Sequence, residues 1–440
     1  MLLIIAWLSL AETRSAAEPS AAIDAADAQK IKAVQVGDAP RLFDVRQFGA
    51  AGDGKKPDTE AIQQALNACA QAGGGTVTFP PGIYLSQPLY LKGNGLTVRL
   101  EAGAKLQATD RFEDFAAPDQ HGVAALLNAT GLNDLTLSGK GVIDGAGAKW
   151  WPGVKLAKVN GTAEPRRRPR LVVLQKCRHL RVTGLTLQNS PSFHLVPVDC
   201  EDMIVEDVTI RAPADSPNTD ATDPSACRHI VYRHCTFDVG DDNIAIKSGR
   251  VDKAHPGAAV DDFLVENCTF LAGHGMSIGS ETEGGVQHLT VRDCTFDGTT
   301  SGIRIKSDRT RGGLVASCTY SNLTMKNVKM PINLTCYYPR IPATDSPQPV
   351  TDLTPQYRDL KIVNLTADSP QGAGFVVGLP ESCISNVVFE NVRITAPLGL
   401  TMRNARAIAF TNSEFTVSSG KPLILETNVE TEGILKSSAF

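Results

Sequence analysis

The chain has no excess of basic residues: 43 Lys and Arg stand against 47 Asp and Glu, a formal charge of −4. Nothing in that balance points to a nucleic-acid partner, which would need a basic stripe. A long apolar run is missing too. Residues 2–10 are apolar but too short to cross a bilayer. With the small residues at 15–22 they read as the hydrophobic part of a secretory signal, although no Lys or Arg precedes them. Helical pattern is also scarce. The 38 glycines and 26 prolines punctuate many short runs of Val, Ile, Thr and Leu, so an all-β protein is expected. The one basic cluster, Arg166, Arg167, Arg168 and Arg170, reads as a solvated loop, the competing reading being a contact for an acidic polymer.

Residues 43–48 look like a first strand, and residues 58–72 form the one clear amphipathic helix. Asp58 stands at its N-cap, Ile62, Ala65, Leu66 and Cys69 fall at helical spacing, and Gly73, Gly74 and Gly75 stop it. A single helix ahead of so many strands is expected to cover the open end of a strand stack.

Beyond it the chain repeats one phrase, two polar residues followed by alternating apolar ones, as in "RHLRVTGLTL", "EDMIVEDVTI" and "RHIVYRHCTF". Its first apolar residues are Leu180, Met203, Ile230, Phe263, Leu289, Leu323, Leu360 and Val387, spaced 23 to 37 residues apart. A unit of that length cannot bury its apolar face alone, and the irregular spacing suits neither propeller blades nor leucine-rich repeats. Coils with variable turns fit a parallel β-helix. Five residues after each anchor stand Leu185, Val208, Cys235, Cys268, Cys294, Val328, Leu365 and Val392. Cysteine alternates there with Val and Leu, so Cys235, Cys268 and Cys294 are expected as buried free thiols acting as small hydrophobes, although the chain holds ten cysteines.

Three successive coils end in related phrases: "DDNIAIKSG", "HGMSIGS" and "SGIRIKSD". Aligning them puts Ile246, Ile278 and Ile305 in one inward row. Arg304 and Lys306, two apart on one strand, then share the outer face near Asp241, Asp242 and His274. One coil earlier, "SPNTDATD" puts Asp220 in a turn at the same part of the stack. Taken singly, each residue is an ordinary turn or surface residue. Their shared register makes a compact charged patch suited to an anionic substrate. Paired carboxylic acids can hydrolyse a glycosidic bond: one protonates the leaving oxygen while another activates water, and crowding raises the pKa of one acid while the others stay ionised.

At these residues the chain resembles the polygalacturonase family, glycoside hydrolase family 28. The motifs are "NTD" at Asn218 to Asp220, "GDD" at Gly240 to Asp242, "GHG" at Gly273 to Gly275 and "RIK" at Arg304 to Lys306. The likeness extends to "FDVRQFGAAGDGKKPDTEAIQQAL", "GKGVIDGAGAKWW" and "GLTLQNSPSFHL". It implies a right-handed single-stranded parallel β-helix with an N-terminal capping helix, and metal-free, cofactor-free hydrolysis of α-1,4-galacturonan with inversion. By motif, Asp241 is the general acid, Asp220 and Asp242 activate water, and His274 supports the acid. Arg304, Lys306, Asn218 and a tyrosine beyond the last motif, Tyr338 ahead of Tyr337, contact substrate. The resulting expectation is a signal-like leader at 1–40 and one catalytic β-helix domain at 41–440, secreted or periplasmic, monomeric, and acting on an acidic polysaccharide.

One departure is Ala221, where the family has glycine; a positive φ there would disturb the turn that presents Asp220. The compact "GSETEGGV" looks more like members that cut from chain ends. A calcium-dependent pectate lyase and a non-catalytic carbohydrate-binding β-helix are the competing readings. An inverting pair further requires roughly 6.5 to 9.5 Å between Asp241 and at least one of the other two acids.

Overall fold

In the computed structural model the described residues are 41–116, 122–250 and 258–439, and the signal-like segment and leader at 1–40 lie outside them. Short strands pair in parallel with the strand one coil later, building three long sheets of a right-handed parallel β-helix. Leu180, Met203, Ile230, Phe263 and Leu289 form one buried column, as the repeat spacing predicts.

The next member of that column is not Leu323 but Cys318, which pairs with Leu289 on one side and Leu360 on the other. Leu323 instead pairs with Leu365, so it takes the second-column place assigned to Val328. The cause lies in the backbone. Each of these coils has two left-handed residues five positions apart, for example His229 and His234, Asp262 and Asn267, or Asp359 and Asn364, and each stands just before a buried apolar residue. Asn, Asp and His tolerate that conformation better than most residues, so they mark both kinks. In the misaligned coil the first kink is held by Ser317 and the second by Asn322, and the more recognisable second signal passes for the first.

The second column is interior, with Cys235, Cys268 and Cys294 buried and unoxidised; all ten cysteines are free. The neighbouring thiols Cys235 and Cys294, together with burial, push the Cys268 thiol far up, so it stays protonated. Beside this column Phe237, Phe270 and Phe296 line up from coil to coil, the first two rings tilted and the latter two stacked with centroids 4.3 Å apart. Offset aromatic stacking of this kind adds to the area term of burial.

Helix α1 (Thr59–Gln71) buries Ile62, Ala65, Leu66 and Cys69 against the first strands, Gly75–Phe79 and Leu89–Leu91, and so covers the N-terminal end of the stack. Asp58 does precede it, but its carboxylate makes no cap. It accepts instead from the backbone N–H groups of Ala51 and Gly52, at 2.7 and 3.0 Å, tying down the preceding loop. The first strand is also shorter than expected: Leu42–Asp44 is extended, and Val45–Phe48 turns into a 3-10 helix that the Asp44 carboxylate caps through the Arg46 N–H.

The sheet that carries the charged patch begins with β1 (Ile244–Ile246), β2 (Met276–Gly279), β3 (Ser301–Lys306) and β4 (Met330–Thr335). Ile246, Ile278, Ile305 and Leu334 form its inward row. Toward the N-terminus, the coil at 219–226 joins this sheet to the earlier Leu195–Val198 strand only through single bridges at Thr222 and Ser225. Asp220 stands at that break in the ladder, where the chain is free to turn its side chain toward the acids of the next coil.

Candidate active site

Gly240, Asp241 and Asp242 lead into β1. A Cβ on Gly240 would lie 2.1 Å from the Ser216 carbonyl oxygen, so only glycine fits where this turn crosses the preceding one. The Gly240 N–H is bound by the Thr219 hydroxyl, which fastens the turn carrying Asp241 to the turn carrying Asp220. Below it, buried Asn243 accepts from the Gly275 N–H at 2.7 Å and donates to the Ala272 carbonyl at 2.9 Å, fixing the turn that presents His274. The sequence reading did not single out Asn243.

These turns and the strands beside them bring seven predicted residues together. His274 Nδ1 lies 3.1 Å from Asp241 Oδ1 and 3.5 Å from Asp242 Oδ1. Asp242 also accepts from the Ser277 hydroxyl at 2.9 Å, from Arg304 at 2.8 Å and from Lys306 at 2.7 Å. The side chain of Asn218 faces Asp241 Oδ2 at 3.5 Å. Tyr338 sits over the cations, its ring centroid 5.1 Å from Lys306 Nζ and 5.9 Å from the Arg304 guanidinium carbon. Tyr337 is turned away, donating its hydroxyl to Asp345 at 2.7 Å. Arg304, Lys306 and Tyr338 share the wall of a cavity of about 260 Å³.

This geometry revises one expectation and narrows another. Lys306 is nearly sealed and bonded to Asp242, so Arg304, with N–H donors to spare, is the more available of the two cations. In addition, the oxygens that Asp241 and Asp242 turn toward His274 lie within 4.8 Å of each other. Those facing oxygens are closer than the roughly 6.5 to 9.5 Å of an inverting pair, so the expectation turns on the spacing from Asp241 to Asp220.

Asp220 is buried beneath this cluster, with Oδ1 lacking any hydrogen bond. Its backbone carbonyl accepts from the His194 N–H at 2.9 Å, and His194 Nδ1 lies 3.0 Å from the same oxygen and can approach it only as a donor. His194 Nε2 accepts from the Ser190 N–H, so this ring is neutral, and burial lowers its pKa to about 4. Ala221 does not occupy the left-handed region, and its N–H reaches the Asp242 carbonyl at 2.9 Å, so alanine fits without disturbing the turn.

The three predicted acids differ sharply in proton affinity. Burial, and then the charges of Asp223, Asp241 and Asp242, raise Asp220 well above the usual carboxylate value. Burial works the same way on Asp241 and Asp242, but His274 outweighs it at Asp241 and holds the group low. At Asp242, Lys306, His274 and Arg304 outweigh it and hold the group lower still. His274 itself is pushed up to about 9: burial opposes the charge, and the two flanking carboxylates override it. Crowding thus separates the acids as expected, raising proton affinity at Asp220 and His274 and lowering it at Asp241 and Asp242.

Sequence reasoning missed two further groups. Asp223 is fully buried with neither carboxylate oxygen hydrogen-bonded, and Lys247 Nζ stands 3.6 Å away, also 3.4 Å from Glu281. Burial raises Asp223 to about 7 despite Lys247. Its signal was the second aspartate of "SPNTDATD", three residues after Asp220. Arg168, read as part of a solvated loop, has a side chain only 6% exposed and donates to the carbonyls of Pro191 and Pro217 and to the Asn218 side chain at 2.9, 2.6 and 2.9 Å. Its guanidinium clamps the turn that leads into Asp220. Arg166 does match the loop reading, with a side chain 54% exposed.

Asp241, Asp242 and His274 have the spacing of a metal-binding group. Calcium, however, takes six to eight oxygen ligands, and both oxygens of Asp242 are taken up by Ser277, Arg304 and Lys306. The donor set does not suit that ion.

The model for glycosyl hydrolases family 28 matches residues 69–416. An endo-polygalacturonase of Pectobacterium carotovorum subsp. carotovorum is 34% identical over 79% of this chain and 86% of its own. Among solved structures, the polygalacturonase of Erwinia carotovora ssp. carotovora superimposes with a TM-score of 0.69 at 28% identity, covering 90% of this chain and 99% of its own. A family 28 exopolygalacturonase of Yersinia enterocolitica, at 23% identity, shares the fold with a TM-score of 0.76 over 89% of this chain and 78% of its own. With the coil register, the four motifs and a match over most of its length agreeing, the chain belongs to glycosyl hydrolase family 28 and is a polygalacturonase-type glycoside hydrolase.

Proposed function

We propose that this protein hydrolyses the α-1,4-galacturonosidic bonds of polygalacturonan with inversion, and that Asp241 donates the proton. The observation that carries the role of Asp241 is its exposure: its side chain is 22% exposed, against 2% for Asp242, and Asp220 is buried. A proton donor has to reach the glycosidic oxygen, and Asp241 is the acid that reaches the surface. Its lowered pKa favours the ionised form. A uronate entering beside Arg304 brings a negative charge against the cations that hold Asp241 low, which raises its proton affinity, and His274, 3.1 Å away, is the neighbouring proton source.

Asp220 has the complementary properties. Its free Oδ1 leaves a lone pair for a water, and a raised pKa makes it a stronger base once ionised. Asp242, locked by Ser277, Arg304 and Lys306, holds its part of the field in place and helps orient that water. With the facing oxygens of Asp241 and Asp242 within 4.8 Å, the reading requires the wide gap between Asp241 and Asp220. Release of reducing ends, with the β-anomer appearing first by proton NMR, tests it. Appearance of the α-anomer first would replace it with a retaining route.

Removal of sugars from chain ends is proposed on one feature, the short turn between Gly279 and Val286. The product ladder from polygalacturonate tests this: monomer alone supports it, and a spread of oligomers from the first minutes contradicts it. Export from the cytoplasm, proposed from the apolar run at residues 2–10, is tested by fractionating the native host.

A further inference from the structure

Beside Asp241, on the side of the stack away from Arg304 and Lys306, lies a second cavity, of about 430 Å³. Asp241, His274, Lys155, Lys158 and Asp215 are in its wall. The two lysines belong to helix α2 (Trp151–Asn160), which begins with proline in its first turn and ends at Gly161 in the left-handed conformation. The helix is pinned to the stack by buried Val154 and Ala157 and by Trp151, whose indole N–H donates to the Ser190 carbonyl at 3.2 Å. Ser190 belongs to the loop that holds the Asp220 turn through His194.

Lys155 and Lys158 are three residues apart and share one helix face. Lys155 bonds Asp215 at 2.5 Å, which turns that face toward the 214–217 turn and neutralises the pair. Lys158 has no acidic partner among the described residues. A lysine in the last turn of a helix is favourable in itself, because it faces the negative end of the helix dipole. That alone does not account for its place in the wall of the cavity that also exposes the proposed proton donor.

We propose that Lys158 forms a second carboxylate-binding subsite, taking a galacturonate on the side of the scissile bond that faces the N-terminal coils while Arg304 takes one on the side that faces the C-terminal coils. The charge count supports it. Around this cavity the Asp241 charge is offset by His274 and the Asp215 charge by Lys155, so Lys158 is the cation left for an incoming uronate. This inference rests on the reading of the site as a galacturonan hydrolase.

The test compares kcat/KM for polygalacturonate and for the same polymer partly methyl-esterified, using wild type, Lys158→Gln, Lys158→Glu and Lys158→Arg, with melting temperatures for all four. We expect Lys158→Gln to lower kcat/KM on the unesterified polymer by about three- to fivefold, the scale of an exposed ion pair. Lys158→Glu should lower it further, Lys158→Arg should restore it, and the loss should shrink as esterification rises. Equal rates for all four proteins, or a loss of the same size on both polymers, would overturn the subsite. A wild type that leaves polygalacturonate intact would instead sink the hydrolase reading, and this inference with it.

Discussion

Lys306 Nζ lies 2.7 Å from Asp242 Oδ2, with the two side chains only 6% and 2% exposed, and Arg304 reaches the other oxygen of the same carboxylate. Removing one partner of a buried pair strands the other charge, which costs about 3–5 kcal/mol. Asp242→Asn and Lys306→Met should each destabilise the protein on that scale in urea denaturation. The double variant should lose less than the two single losses added together, because it strands no charge between them. Strict additivity would show that the pair is not coupled.

Arg168 positions the catalytic turn without touching the acids that act. Lys cannot reproduce its planar fork, which reaches Pro191, Pro217 and Asn218 at once. Arg168→Lys should therefore lower kcat by about ten- to a hundredfold, since small misplacements of reacting groups are costly. Its KM should change little. A variant with wild-type kcat would remove Arg168 from this role.

For Asp223, the folded-state pKa of about 7 stands above its ordinary value of 3.8. The folded protein therefore binds the extra proton between those values. This contribution to stability is fully present below 3.8 and is lost as pH rises through about 7. In Asp223→Asn the loss is absent. Melting temperatures should show the variant gaining on wild type between pH 4 and 8, and parallel curves would contradict the assignment.

His274 is also raised, from 6.5 to about 9, so its imidazolium is fully formed below the lower value and is lost as pH rises through the upper one. The alkaline limb of kcat/KM should fall near pH 9. His274→Gln should lower the rate by about a hundredfold and remove that limb. An alkaline limb that persists in the variant would place the titrating group elsewhere.

Much of this architecture was legible because each coil must kink at fixed points, and Asn, Asp and His betray the kinks, as His179, Asp202 and Asp262 do. Where a serine held the kink, at Ser317, the register slipped by half a phrase. The charged patch was legible from strand alternation, since Ile303 and Ile305 point inward and force Arg304 and Lys306 outward. Long-range pairings were not. Nothing local shows that Asp58 serves the loop before it rather than its own helix, that Arg168 reaches the 217–218 turn some fifty residues on, or that Lys247 stands against Asp223. Those contacts depend on how variable turns fold back over the stack, and the repeat does not encode that. Which acid has the raised proton affinity was hidden for the same reason, since the balance at Asp241 and Asp220 depends on burial and on cations from later coils.

The central claim is that Asp241 protonates a galacturonosidic bond, and a proton NMR time course on polygalacturonate with wild type and Asp241→Asn tests it most directly. The account predicts saturated products with new reducing ends, β-anomer first and undiminished in chelator, and a rate about a hundred- to ten-thousandfold lower for the variant. An unsaturated product, or an Asp241→Asn variant as fast as wild type, would contradict it.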